Sequence, residues 1–237
     1  MTIIFSVEGN IGSGKSTLIT HLKKKVKDIC GLRIIYLEEP VKIWESIKDA
    51  EGNNIIKRYY DDQKKFAFQF QMMAYITRIT QLRKAINIYG NCVIITERSI
   101  LTDKNVFAKM LHDNDMLDEI SHNIYLKWFD ELSRGLEIHS FIYIKTNPST
   151  SLKRVLKRNR PGETLTIDYL KICHENHENW LQNCENVLSL NGEKEYIEKI
   201  PDEWLFVIKN HLNSIIKPLK EMDIFYNLIK QAEYPIF

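Results

Sequence analysis

Gly9-Asn10-Ile11-Gly12-Ser13-Gly14-Lys15-Ser16 fits the pattern G-x-x-x-x-G-K-[ST] at every fixed position. The apolar run 3–7 before it reads as a short buried strand, and 15–29 after it reads as a helix. In that context the glycines let the backbone curl with its N–H groups pointing inward, and the helix start adds unpaired donors. The product is an anion cradle. Lys15 is placed to reach the outer phosphates of a nucleoside triphosphate, and Ser16 to hold a Mg²⁺ ion. Gly9 through Ser16, with Thr17, are therefore assigned to a donor nucleotide such as ATP. The bland alternative, a chance glycine turn before a helix, leaves the Lys-Ser pair and its flanks unexplained. The loop does not say what becomes of the phosphate.

The rest of the composition narrows the class. Lys and Arg total 33 against 31 Asp and Glu, a net charge of +2, too balanced to argue for nucleic-acid or membrane binding. The four cysteines (30, 92, 173 and 184) form no C-x-x-C pair and are too sparse for a disulfide framework. No signal peptide precedes the first strand and no apolar run approaches a membrane span. The expectation is a soluble intracellular protein, cytoplasmic first, with mitochondrial or viral origin open. One domain over 1–237 is the simplest organisation.

Beyond the loop, strands are expected at 33–37, 92–96, 141–144 and 187–190. Helices are expected over about 41–89, 103–111, 115–134, 149–158, 167–183 and 202–216. The tail from about 218 to 237, with Pro218 and Pro235, reads as a separate extension. Short strands alternating with helices predict an α/β fold, a five-stranded parallel sheet flanked by helices. Ligands in such sheets sit beyond the carboxyl ends of the strands. Three of those ends are polar: the loop 9–16, Glu38-Glu39-Pro40 and Glu97-Arg98-Ser99.

A carboxylate at such an end is suited to accept a proton from an attacking hydroxyl, and equally to sit in a solvated turn. An arginine there suits a transferring phosphoryl group, and a carboxylate suits Mg²⁺; a surface ion pair is the alternative. Lys153 to Glu163 places Arg154, Arg158 and Arg160 at a helix end broken by Pro161-Gly162. That is either a solvated basic terminus or a lid, about 158–165, that closes on phosphates. Gln71, Ala74 and Arg78 share one helical face, which ordinary core packing would also explain.

Taken together, Gly9–Ser16, Glu39-Pro40-Val41 with Trp44, Phe70-Gln71, Glu97-Arg98-Ser99, the arginines 154–160 with Glu163, and His177-Glu178-Asn179-Trp180-Leu181 resemble one family. It is that of the deoxyribonucleoside kinases of the deoxycytidine, deoxyguanosine and insect multisubstrate type. The resemblance runs from about residue 3 to about residue 190. It implies a P-loop kinase with a lid, acting in deoxynucleoside salvage for DNA precursor synthesis. It implies transfer from ATP, with Mg²⁺, to the 5′-hydroxyl of a deoxynucleoside. Glu39 matches the general base, and Arg98 the arginine that orients it and meets the phosphoryl group. Lys15 serves the phosphates, and Ser16 and Glu97 are the metal partners. Arg154, Arg158 and Arg160 match lid arginines. Gln71 matches the base reader, with Trp44, Phe70 and Phe107 around sugar and base, and Tyr60 and Glu163 match the partners of the 3′-hydroxyl.

Arg78 and Asp103 match a charged pair that crowds the space of a thymine methyl, which implies deoxycytidine and purine deoxynucleosides as acceptors. Family members pair through two long helices, so a homodimer is implied. Two other functions compete. A thymidylate-type monophosphate kinase shares loop and lid, but Glu38-Glu39 would repel an anionic acceptor. A non-catalytic nucleotide-binding subunit has no need of both Glu39 and Arg98.

Overall fold

The first strand decides the layering, because its side chains alternate between two cores. The structure is a computed structural model that describes residues 1–194 and 200–233. Its strands are β1 (Thr2–Glu8), β2 (Asp28–Ile29), β3 (Leu32–Leu37), β4 (Cys92–Glu97), β5 (Ser140–Lys145) and β6 (Val187–Asn191). They form one sheet in the order β2-β3-β4-β1-β5-β6. Ile3, Phe5 and Val7 of β1 face Leu18, Ile19 and Leu22 of helix α1 (Lys15–Lys25) and Ile208, Leu212 and Ile216 of α10 (Asp202–Glu233). Ile4 points the other way, into a cluster with Ile94 of β4 and Leu82 and Ala85 of α4 (Gln63–Tyr89). This is the period-two alternation of a strand covered on both faces.

The five expected parallel strands are all present, with β3, β4, β1, β5 and β6 paired in parallel. A sixth, β2, is a correction to the sequence reading. It pairs antiparallel with β3 at the sheet edge. The first helix stops at Lys25 rather than at 29 because Val26 is extended (φ −130°). Cys30 and Gly31 then both take positive φ (50° and 74°), as a two-residue hairpin turn requires.

The expected helical stretch 41–89 is three helices: α2 (Val41–Ser46), α3 (Ile55–Asp61) and α4. Asn54 and Asp62 start the second and third by accepting hydrogen bonds from the N–H groups of Lys57 and Lys65. After β4 come α5 (Ile100–Thr102), a π-helical turn over Asp103–Ala108, α6 (Lys109–Asp113) and α7 (Glu119–Leu132). Helices α8 (Pro148–Arg158) and α9 (Ile167–Leu181) flank the segment expected to be a lid.

The reading of 218 onward as a separate element is overturned. Helix α10 continues through Pro218 to Glu233, and Pro235 lies outside the described residues. The apolar stripe of α10 continues past the proline with Leu219 on the core, and Lys220 Nζ donates to the Cys30 carbonyl at 2.7 Å. Among the described residues, no helix is long and apolar enough to cross a membrane.

Candidate active site

Strands β3, β4 and β1 are consecutive neighbours, so the segments that follow them emerge side by side. Neighbouring strands lie about 4.8 Å apart, which brings Glu39, Arg98 and the glycine loop within side-chain reach. They meet along a cavity of about 450 Å³.

The loop end of this cavity is built by backbone. Gly12 approaches α8 so closely that a Cβ would lie 2.5 Å from the Ser151 carbonyl oxygen. Gly14, at φ 103°, begins α1 with no side chain capping it and no acidic residue in its first turn. The first N–H groups of α1 are thus left for an anion. Ile11 through Thr17 line the cavity. Gly9 and Asn10, assigned with them from the sequence, lie beneath it instead. A Cβ on Gly9 would sit 2.7 Å from the Ile144 carbonyl, and the Asn10 amide donates to the Leu170 carbonyl at 2.8 Å. They fix the loop to β5 and α9.

Lys15 Nζ donates to the Asn10 carbonyl at 2.7 Å. Burial, helped by the charge of Arg98, pulls its pKa down to about 7. Ser16 Oγ donates to Glu97 Oε1 at 2.6 Å. A hydroxyl and a carboxylate held together at the end of a phosphate cradle are the hard oxygen donors that Mg²⁺ takes when a nucleotide supplies most of its shell. The residues present therefore fit the ion.

At the centre lies a buried network of two cations and two anions. Arg98 Nη1 donates to Glu39 Oε1 at 2.7 Å, and Arg78 Nη2 reaches the same oxygen at 3.2 Å. Arg78 Nε pairs with Asp103 Oδ2 at 3.0 Å, and its Nη1 donates to the Glu97 carbonyl at 2.8 Å. Burial alone would raise the pKa of Glu39, but the charges of Arg98, Arg78 and Lys15 outweigh it and hold the carboxyl well below its usual range. Asp103 responds in the opposite direction. Burial dominates over Arg78 there and lifts it to about 6. Arg98 has φ 60°, in the left-handed region, which costs a non-glycine residue roughly 1–3 kcal/mol.

The far end is aromatic. Phe70 stacks on Tyr59 with ring centroids 4.5 Å apart and meets Trp44 edge-on at 5.7 Å. The Trp44 indole N–H donates to Thr77 Oγ1 at 2.9 Å. Phe107 carries the Arg98 guanidinium 5.1 Å from its ring centre. Gln71, almost fully buried, donates to the Asp103 carbonyl at 2.9 Å. That carbonyl begins the π-helical turn, whose Val106 carbonyl accepts from the Asn176 amide at 3.2 Å. Wide turns of this kind recur at functional sites, and this one presents both Asp103 and Phe107 to the cavity.

The segment between α8 and α9 closes one side. Arg158 Nη2 donates to Glu163 Oε2 at 2.5 Å, and Arg160 lies 4.0 Å from the other oxygen. Arg154 reaches the Ser13 carbonyl at 3.4 Å and the Lys194 carbonyl at 2.9 Å. Tyr60, Arg158, Arg160 and Glu163 line the cavity as expected. Tyr59 and Tyr169 line it too, their hydroxyls 3.3 Å apart, and sequence reasoning passed over both.

One continuous cavity thus joins an anion cradle to an aromatic wall, with a carboxylate and cations between them. The model of the deoxynucleoside kinase family matches residues 5–222. The chain belongs to the deoxynucleoside kinase family. Over 204 residues it is 39% identical to a probable deoxycytidine kinase of fowlpox virus, covering 81% of this chain and 80% of the relative. It is 28% identical to the deoxycytidine kinase of Rattus norvegicus, covering 91% and 89%. It is 30% identical to the mitochondrial deoxyguanosine kinase of Xenopus laevis, covering 81% and 82%. This deoxynucleoside kinase is a nucleotide-dependent transferase that phosphorylates the 5′-hydroxyl of a nucleoside. Its two-ended cavity suits that chemistry, since donor phosphates and acceptor sugar must meet in line.

Proposed function

We propose that the acceptors are deoxycytidine and the purine deoxynucleosides, with thymidine poor, and that ATP is the donor. The observation that carries this reading is the buried Arg78–Asp103 pair beside Gln71. A charged pair fixed at 3.0 Å fills the volume a 5-methyl group would need, and it offers donors and acceptors to a base edge. Glu39 accepts the 5′-hydroxyl proton. Held ionised by Arg98 and Arg78, it is a weak base, which suits a loose transition state where the proton leaves late. Arg98 orients Glu39 and stabilises charge on the transferring group, and Lys15 and the first turn of α1 hold the phosphates. Ser16 and Glu97 would hold Mg²⁺, which supplies charge neutralisation on the phosphates when bound. Tyr60 and Glu163 face the sugar, Trp44, Phe70 and Phe107 flank the base, and the 158–165 segment is a lid. A panel of the four natural deoxynucleosides with ATP tests the reading, and fastest turnover of thymidine overturns it.

We further infer a homodimer. Ile120, Ile124 and Trp128 repeat at four-residue spacing along α7 and stay exposed, up to 72% for Ile120, and Ile76 of the adjoining α4 is exposed as well. Such a stripe on paired helices fits a second copy of itself. Light scattering that gives the monomer mass at assay concentration overturns it.

A further inference from the structure

The last residue of β1 carries a carboxylate that no step above uses. Glu8 is fully buried, and among the described residues no cation pairs with it. Its Oε1 accepts hydrogen bonds from Ser6 Oγ at 2.5 Å, the Ser99 N–H at 3.1 Å and Ser99 Oγ at 2.9 Å. Its Oε2 accepts from Thr102 Oγ1 at 2.6 Å. Four hydrogen bonds satisfy a buried carboxylate that would otherwise be costly to desolvate.

The position of these donors matters more than their number. Arg98 stands between two peptide groups, and both are pinned to β1. Its own N–H donates to the Val7 carbonyl at 3.0 Å, and the next N–H, of Ser99, donates to Glu8. Holding both peptides fixes the two backbone torsions between them, and so fixes the left-handed turn that aims the Arg98 guanidinium at Glu39. Ser99 and Thr102 also cap the short helix leading to Asp103, so the same clamp sets the start of the π-helical turn. Glu8 is bonded in sequence to Gly9, where the phosphate loop begins.

We propose that Glu8 is a positioning residue for phosphoryl transfer, acting through Arg98 without touching either substrate. The inference rests on the role assigned to Arg98 above. Glutamine at position 8 keeps the shape but replaces one carboxylate oxygen by an N–H₂, which meets a group that now donates to Glu8 and loses that hydrogen bond. Glu8→Gln is expected to lower kcat about 30-fold while the nucleoside KM changes less than about threefold, as an ångström-scale misplacement does. A double-mutant cycle with Arg98→Lys separates positioning from general damage. If Glu8 works through Arg98, adding Glu8→Gln to Arg98→Lys costs less than about threefold more. Multiplicative losses, or a raised KM with kcat intact, overturn the proposal. Should Glu8→Gln not fold, Thr102→Val with Ser99→Ala removes two of the four hydrogen bonds to Glu8 from the other side and is expected to give the same kcat loss; unchanged kcat overturns it. Full activity of Arg98→Lys alone refutes the role of Arg98 itself, whereas loss in Arg98→Lys with none in Glu8→Gln refutes only Glu8.

Discussion

Glu39 and Arg98 lie 2.7 Å apart on neighbouring strand ends, and the arginine holds that position from a left-handed backbone. A proton acceptor and a cation for the phosphoryl group are therefore delivered as one unit. Glu39→Gln removes the acceptor while keeping a hydrogen-bond partner for both arginines. Turnover is expected to fall by about 10²–10⁴, the usual worth of a positioned base, with nucleoside affinity changed little. Steady-state kinetics and calorimetric binding check this, and unchanged turnover removes Glu39 as the base.

Arg78 and Asp103 should be altered together. Asp103→Ala alone leaves a buried cation facing only Glu39 and a carbonyl, and breaking a buried pair from one side costs about 3–5 kcal/mol. The double change Arg78→Leu with Asp103→Ala removes both charges and opens apolar space. It is expected to be more stable than the single variant, and to raise the thymidine-to-deoxycytidine ratio of kcat/KM by at least about tenfold, given that close-packed pockets reject on the order of one methyl group by this much. Thermal unfolding and the substrate panel read the two effects.

Lys15 gives the donor site a pH dependence. Buried beside Arg98, it titrates at about 7 without nucleotide, and a triphosphate favours its charged form. The unbound protein must then take up a proton to bind as the pH rises above 7. Affinity for ATP is expected to weaken by up to about tenfold per pH unit between about pH 7.5 and 9. Lys15→Met should bind weakly with no such slope, and an equal slope in that variant assigns the proton elsewhere.

His177 is fully buried against Tyr143, with Nδ1 2.6 Å from the Cys173 carbonyl and Nε2 without a hydrogen-bond partner among the described residues. Burial drives its pKa down to about 3. Below about pH 6.5 the unfolded chain protonates this ring while the native protein does not, so stability is lost as the pH falls. The loss between about pH 6.5 and 5 is on the order of 2 kcal/mol. His177→Gln should show a smaller fall of Tm over that range, and parallel curves would place the acid sensitivity in other groups.

The parts of the site legible from sequence were those governed by local rules. The glycine loop, the parallel strands and the polar residues after them follow from motif, alternation and the position of strand ends, which singled out Lys15, Glu39 and Arg98 as candidates; the roles given to Glu39 and Arg98 came from the family resemblance. What escaped depends on distant partners. Glu8 looks like the end of a strand until Ser99 and Thr102 arrive from the cap and the last residue of α5. The π-helical turn has no spacing signature, being held by Gln71 and Asn176 from two other helices. The hairpin of β2 was hidden because Cys30 is an unusual residue for a positive φ. Asn54 and Asp62 did carry readable cap signals that divide the 41–89 stretch. Pro218 misled for a related reason: packing of α10 overrides the local penalty of a proline.

That packing bears on how the chain is made. Strand β1 leaves a ribosome long before α10 does, yet its odd-numbered side chains pack against Ile208, Leu212 and Ile216 of α10 as well as against α1. Until α10 has emerged, that face of the nascent sheet has only α1 over it and keeps an adhesive apolar strip. A stop codon or nick before residue 208 would leave the phosphate loop's strand with its apolar side only partly covered, so a shortened product should be captured by chaperones or degraded rather than persist as a weak enzyme.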